Sequence, residues 1–230
     1  MTDRPADKEE ERYAEQRARL LRQVQREMGL TRGYTGLGSL SEPVARALGR
    51  VPRHRFVPER YRDQAYINEP LPIGHGQTIS QPYIVALMTE LLRPEAEHKV
   101  LEIGTGCGYQ TAMLAELAGE VYSIEVVPPL GEAAAERLRE LGYDNIRTRV
   151  GDGYHGWPEH APYDGIIVTA AVPEIPPPLI EQLKNGGRLV LPVGRPYSGQ
   201  SLILVSKDAR GKVSERAVLP VAFVPLTRGA

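Results

Sequence analysis

Cysteine is almost absent from this chain: Cys107 is the single one in 230 residues. A lone cysteine forms no internal disulfide, so the core alone must hold the fold, and a reducing compartment is the expected setting. An excess of one charge is absent too. The 28 basic and 29 acidic residues leave a formal net charge of −1, so no broad field favours nucleic acid or an anionic membrane. Apolar runs are short and broken by proline or charge, which excludes a membrane-spanning helix of the usual length. The opening stretch MTDRPADKEEERYAEQ has no apolar segment; no secretory signal is read there, and the cytoplasm is the expected location. His155 and His160 flank Glu159, but proline interrupts them and no third ligand follows, so no metal is expected. No repeat is found, and no low-complexity tract beyond IPPP at Ile175 to Pro178. No apolar patch that would pair two copies is readable, and a monomer is the expected state.

What is present is ordinary for a folded protein: 41% hydrophobic and 25% charged residues. The length suits one well-cored domain, or a domain with an appended segment. From about Lys8 to Met28, charges of both signs alternate around a thin apolar stripe of Leu20, Leu21, Val24 and Met28. That pattern predicts a surface helix packed through its second half. Ser41 to Leu48 reads as a short helix with Ser41 as cap, and Leu71 to Gln81 as loop. Ile84, Val85, Leu87, Met88, Leu91 and Leu92 then recur at helical spacing until Pro94.

From Lys99 to Gly194 strands and helices alternate: KVLEIG, YQTAMLAELAG, EVYSIEV, LGEAAAERLRELG, NIRTRV, YDGIIVTAA, PPPLIEQLKNGG and RLVLPVG. Such alternation predicts a doubly wound α/β fold with a mostly parallel, Rossmann-like sheet. SLILVSKDARGKVSERAVLPV adds a C-terminal antiparallel hairpin turning at Ala209-Arg210-Gly211. Residues 1–95 are read as an N-terminal helical and loop segment packed on the body, and 96–230 as the ligand-binding core, one structural unit in all.

LEIGTGCGYQ places Gly104, Gly106 and Gly108 in a strand-to-helix turn, where glycine admits positive φ and close ligand approach. A dinucleotide fingerprint would read G-x-G-x-x-G, but position 109 is tyrosine. Glu125 closes the second strand, where a carboxylate accepts from ribose hydroxyls. Asp152 follows the third strand in VGDGY, placed to accept from an adenine amino group. Glu102, inside the first strand, is expected to add negative charge that repels a pyrophosphate and welcomes an ammonium or sulfonium. Each acid alone is equally a solvated turn residue; together they describe an adenosine without phosphates. The pattern resembles the class I methyltransferases that use S-adenosylmethionine.

PRHRFVPE, YINEPLPIGHGQTISQPYIVALMTELL, VLEIGTGCGYQTAMLA, VGDGYHGWPEHAPYDGIIVTAA, LIEQLKNGGRLVLPVG and the late FVPLT resemble a narrower group, the protein-L-isoaspartate O-methyltransferases. The resemblance runs from about Val51 to Thr227, with GQTISQP its most specific part. Many relatives read Lys-Pro-Gly-Gly where this chain has Lys184-Asn185-Gly186-Gly187; asparagine is equally a turn residue. The resemblance implies methyl transfer from S-adenosylmethionine to the free carboxylate of isoaspartyl residues in proteins and peptides. It implies Ser80 as the active-site residue, and Gln77, Thr78, Ile79, Gly153 and Thr227 on the cofactor beside the glycines and acids named above. It also implies an altered strand order at the C-terminal end of the sheet. By position, Ser80 is equally an N-cap for the helix starting near Pro82. Gly74 and Gly76 are read as hinges of a lid. Two other readings stay open: a methyltransferase acting on a small molecule or another protein atom, and a non-catalytic domain that binds the cofactor or damaged protein.

Overall fold

The computed structural model describes residues 5–195 and 199–228; the ends of the two expected segments, 1–4 and 229–230, lie outside the described residues. Helix α1, Pro5–Leu30, is 26 residues long. Its buried stripe is Tyr13, Leu20, Val24 and Met28, at spacings of seven and four, so packing begins two turns before Leu20, the first residue of the expected stripe. Tyr13 lies stacked on His54, ring centres 3.9 Å apart and 8° from parallel. Burial pushes the His54 pKa down to about 4, so the ring under that stack is neutral. Two short helices follow, α2 (Arg32–Thr35) and α3 (Glu42–Arg50). Ser41 precedes α3 without a side-chain cap; its N–H instead donates to Glu90 Oε1.

The stretch expected as loop contains a hairpin, β1 (Leu71–Gly74) and β2 (Gln77–Ile79), pairing Leu71 with Ile79. Its tip is Gly74-His75-Gly76, all at positive φ, which is why the run reads as irregular chain. Helix α4, Pro82–Leu92, is buried on nearly every face, and Arg93 ends it in the left-handed region.

The body is a seven-stranded sheet of β3 (Lys99–Ile103), β4 (Glu120–Glu125), β5 (Ile146–Val150), β6 (Tyr163–Val168), β7 (Leu183–Gly194), β8 (Gln200–Lys207) and β9 (Val213–Val221). The order is β5-β4-β3-β6-β7-β8-β9, parallel through β7 and antiparallel beyond. The three C-terminal strands thus lie side by side in chain order. Crossovers run through α5 (Tyr109–Ala115), α6 (Pro128–Glu140) and α7 (Pro177–Gln182). Helix α7 stops five residues before the expected Gly187, because Leu183 already pairs with Tyr163 in the sheet. Residues 184–187 form the irregularity before Gly165 pairs with Arg188, and a β-carbon on Gly187 would stand 2.8 Å from the Lys184 carbonyl.

Strand residues alternate between two cores. Val100, Val121, Ile167 and Val190 face a cluster with α1, α3, α4 and α5, so the N-terminal segment and the body share one interior. Leu101, Ile103, Tyr122, Ile166 and Leu189 face the other cluster with Leu179 of α7. The chain reverses its direction of travel across the sheet between β3 and β6, and the crevice at the carboxyl ends of those strands is where ligands of open α/β sheets bind. Among the described residues, no helix is long and apolar enough to cross a membrane.

Candidate active site

The turn from β3 to α5 holds Gly104, Gly106 and Gly108 at φ of 96°, 55° and 89°. A β-carbon on Gly104 would stand 2.3 Å from Thr169 Oγ1, so the turn closes only without a side chain there. Thr169 Oγ1 donates to the Gly104 carbonyl at 2.6 Å and ties the end of β6 to the turn. The Gly106 N–H donates to Glu125 Oε2 at 2.7 Å, and the Val127 N–H to Oε1 at 2.9 Å. Glu125 is therefore fixed at the end of β4 by two backbone donors, with a lone pair left on each oxygen.

Above the turn lies a cleft of about 770 Å³ of empty space, its open mouth included. Gln77, Thr78, Ile79 and Ser80 form one wall, residues 103–107 the floor, and Val224 to Thr227 the far side. The hairpin sits close over the floor: a β-carbon on Gly106 would meet Ile73 Cδ1 at 3.4 Å. Among the described residues lining the cleft, Glu125 is the only charged one. A pyrophosphate would find no cation here, whereas sugar hydroxyls and a positively charged group find an oriented carboxylate and exposed backbone. That carboxylate and the open backbone at Gly104 and Gly106 fit S-adenosylmethionine.

Most of the residues predicted from sequence meet at this cleft: Gln77, Thr78, Ile79, Ser80, Gly104, Gly106, Glu125, Gly153 and Thr227. Three stand back from it. Gly108 begins α5, and a β-carbon there would press on Leu138 of α6 at 3.2 Å. Glu102 is fully buried beneath the turn, where Thr111 and Ser123 hydroxyls both donate to Oε2, at 2.5 and 2.6 Å. Burial pushes its pKa up to about 8, against the two hydroxyl donors, so near neutral pH it is largely the uncharged acid. The negative charge expected from Glu102 is thus not delivered; Glu125 alone supplies it. Asp152 accepts from the Tyr154 N–H and pairs with Arg228 at 2.8 Å, and Arg228 in turn covers the Tyr154 ring.

Ser80 is not the cap of α4. Gln81 holds the cap position without a side-chain bond, and the Tyr83 N–H in the first turn donates to Asn68 Oδ1 at 2.9 Å. What holds Ser80 is its carbonyl, which accepts from Arg53 Nη2 at 2.9 Å. Arg53 is 0% exposed, and it also donates to the carbonyls of Ala65 and Glu69, while its guanidinium lies over the Tyr109 ring. Its Nη1 has no partner, and no carboxylate pairs with it among the described residues. The Ser80 hydroxyl makes no hydrogen bond among the described residues and stays free for a ligand. Sequence reading gave Arg53 no role: it lies in the PRHRFVPE stretch beside His54 and Arg55, and only its burial in the fold sets it apart. Thr169 and residues 224–226 also line the cleft; the sequence reading marked their stretches through the resemblance and gave them no role.

A second, broader groove, about 1180 Å³ counted the same way, lies across Thr78, Ser80, Thr169 and Val224 from the first. Its far walls are the end of α1 with Thr31, the start of α4, and the chain from Leu219 to Val224. The weak points of the sequence reading fall elsewhere: His75 is exposed at the hairpin tip, His155 faces Tyr154 and Arg228, and His160 packs on Tyr122 and Trp157.

A mostly parallel sheet with this strand order and a crevice that offers glycine backbone and a carboxylate but no cation among the described residues defines a Rossmann-like class I methyltransferase. The comparisons narrow the class. A model of the protein-L-isoaspartate(D-aspartate) O-methyltransferase family matches residues 31–230, and the chain belongs to that family. A relative from Syntrophobacter fumaroxidans, protein-L-isoaspartate O-methyltransferase 2, is 57% identical over 217 residues, covering 94% of this chain and 88% of its own. One of the same name from Polaromonas sp. is 63% identical over 197 residues, 86% of this chain and 93% of its own. A solved protein-L-isoaspartate O-methyltransferase matches with a TM-score of 0.77 at 30% identity, over 91% of this chain and 65% of that longer one. A Plasmodium falciparum structure described as that enzyme, in complex with S-adenosyl-L-homocysteine, matches with a TM-score of 0.74 at 25% identity, over 91% and 97%.

Proposed function

We propose that this protein transfers a methyl group from S-adenosyl-L-methionine to the free carboxylate of L-isoaspartyl residues in damaged proteins and peptides. The methyl ester then loses methanol to the neighbouring backbone nitrogen and re-forms a succinimide. The observation that carries the reading is the position of Ser80: a hydroxyl released from helix capping, in the wall common to the two cavities. The first cavity has the donor set for the cofactor, and the second is open enough for a peptide and is edged by main chain from Leu219 to Val224. The names of the relatives, at up to 63% identity, support the acceptor.

When bound, S-adenosylmethionine supplies an electrophilic methyl group on a positively charged sulfur. The acceptor carboxylate, with a pKa of roughly 3.5 to 4, is already ionised at neutral pH, so the protein needs no strong base. Its task is to strip water from a weak nucleophile and align it. Ser80 donates one neutral hydrogen bond to an acceptor oxygen, fixing it without the deep stabilisation a cation would impose on a charge that must vanish. Arg53 holds Ser80 by its carbonyl, so the buried cation acts on geometry rather than directly on the acceptor. Glu125 holds the ribose hydroxyls and the glycine floor lets the cofactor lie against the backbone. Gln77, Thr78 and Ile79 close the cleft from the hairpin side. Asp152 and Gly153 serve the adenine end and Thr227 the outer wall; Glu102 and Gly108 support the turn from behind. The same reading makes the protein a cytoplasmic monomer acting without a metal, on protein rather than nucleic acid or membrane; the net charge of −1 supports only the last of these, since it offers no broad field for polyanions.

The test uses two peptides identical but for one residue, isoaspartyl in one and aspartyl in the other. Labelled methyl is expected on the isoaspartyl peptide alone, in a product that releases methanol in mild alkali. Equal labelling of both, or an alkali-stable product, would overturn the acceptor assignment.

A further inference from the structure

Among the described residues lining the second groove, one is charged, Glu27. It comes from the last turn of α1, a helix that ends at Leu30 and so lies wholly outside the residues matched by the family model. The carboxylate is oriented by neutral donors. Asn68 Nδ2 donates to Oε2 at 2.5 Å, and Gln81 Nε2 approaches Oε1 at 3.5 Å. Asn68 is the same side chain that caps α4, and Gln81 is the neighbour of Ser80, so the position of Glu27 is tied to that of the active-site hydroxyl. Thr31, one turn further on, fixes the other edge by accepting from the Tyr83 hydroxyl at 2.7 Å. No cation lies within ion-pair distance of Glu27 among the described residues. Partial burial raises its pKa, opposed by both amide donors, which bond best to the ionised form. The groove therefore presents a half-buried carboxylate, held by two amide donors and with no cation partner among the described residues, in the same lining as Ser80.

We propose that Glu27 is a specificity-determining residue, selecting acceptor chains that carry lysine or arginine beside the isoaspartyl residue and rejecting those that carry aspartate or glutamate. This rests on the isoaspartyl reading above. A chain whose isoaspartyl carboxylate reaches Ser80 lays its neighbouring side chains in the groove that Ser80 shares with Glu27. A cation there gains a partner already held in place, at little ordering cost. An anion meets a like charge in a wall of low polarisability, where the repulsion is less screened than at open surface. The selection acts on the acceptor and leaves the cofactor cleft, whose lining does not include Glu27, outside its reach.

The experiment compares kcat/KM for three isoaspartyl peptides that differ only in the flanking residue: lysine, glutamine or glutamate. For the wild-type protein the lysine peptide is expected to exceed the glutamate peptide about tenfold, with glutamine between. Raising the salt from about 0.02 M to 0.5 M should shrink that ratio. In Glu27→Gln, which keeps an acceptor for Asn68, the ratio should fall to about one to two. Because a ratio of peptides is read on one preparation, partial loss of folded protein does not blur it, and the salt series needs no variant. A wild-type protein indifferent to flanking charge, or favouring glutamate, would overturn the proposal. So would a lysine preference that persists in Glu27→Gln, since its source would then lie elsewhere. Absence of methyl transfer to all three peptides would remove the isoaspartyl reading and this inference with it, whereas transfer at equal rates would remove the inference alone.

Discussion

The cleft over the glycine turn and the groove beyond Ser80 share a wall but are assembled from different material. In the cleft, Gly104, Gly106 and Glu125 lie within one strand–helix–strand unit, and backbone N–H groups do most of the fixing. In the groove, Glu27, Thr31, Gln81, Tyr83 and the chain from Leu219 to Val224 come from elements far apart in sequence. The floor of the first belongs to the α/β body, and its walls are added by the hairpin side and the C-terminal segment. The second exists only because α1 and the C-terminal segment pack on that body. Arg53, which bonds the Ala65, Glu69 and Ser80 carbonyls while lying over the Tyr109 ring of α5, is the joint that ties the shared wall to the body. Cofactor recognition and acceptor recognition should therefore fail separately, except where the joint itself is cut.

Cutting the joint has the broadest expected effect. Arg53→Met would strand the carbonyls of Ala65, Glu69 and Ser80 in the interior. A loss of about 3 kcal/mol or more in urea unfolding is expected, with turnover falling alongside. Unchanged stability would show that the shared wall is not tied to the body there. Ser80→Ala is expected to separate them cleanly: kcat should fall about 100-fold while the dissociation constant for S-adenosylmethionine, read by calorimetry, stays within about twofold. An equal loss in both would make Ser80 part of the cleft's structure instead.

The narrowest effect concerns the body alone. Glu102 titrates near 4.5 when unfolded and about 8 when folded, so the native state holds the proton more tightly. Its contribution to stability is full below about pH 4.5 and is lost as pH rises through about 8. Relative to the wild type, Glu102→Gln should therefore gain about 4 kcal/mol between pH 5 and pH 8.5 in urea titrations. Stability curves that run parallel across that range would contradict the buried neutral acid.

How far these regions could be read from sequence follows the same division. The glycine spacing, Glu125 at a strand end and the alternating βα rhythm are local signals, and they located the cleft and the parallel sheet. The hairpin was hidden because β1 and β2 are four and three residues long around three positive-φ residues. Ser80 was ambiguous as cap or active-site residue because the rival cap, Asn68, sits 15 residues before Tyr83 and comes near only through folding. The charge on Glu102 was misjudged because its burial is a tertiary fact; a strand-end acid and a fully enclosed one look alike in sequence. For the same reason, nothing near Glu27 marks it as part of a groove completed by residues almost 200 positions away.

A structure determined with S-adenosyl-L-homocysteine tests the central arrangement most directly. The expected result is a ligand confined to the glycine-floored cleft, ribose hydroxyls on Glu125 and sulfur turned toward the Ser80 hydroxyl, with the groove beyond left free for the acceptor. A sulfur pointing toward the Asp152 end, or ligand density lying in the groove beside Glu27, would contradict the assignment of donor and acceptor to the two sides of Ser80.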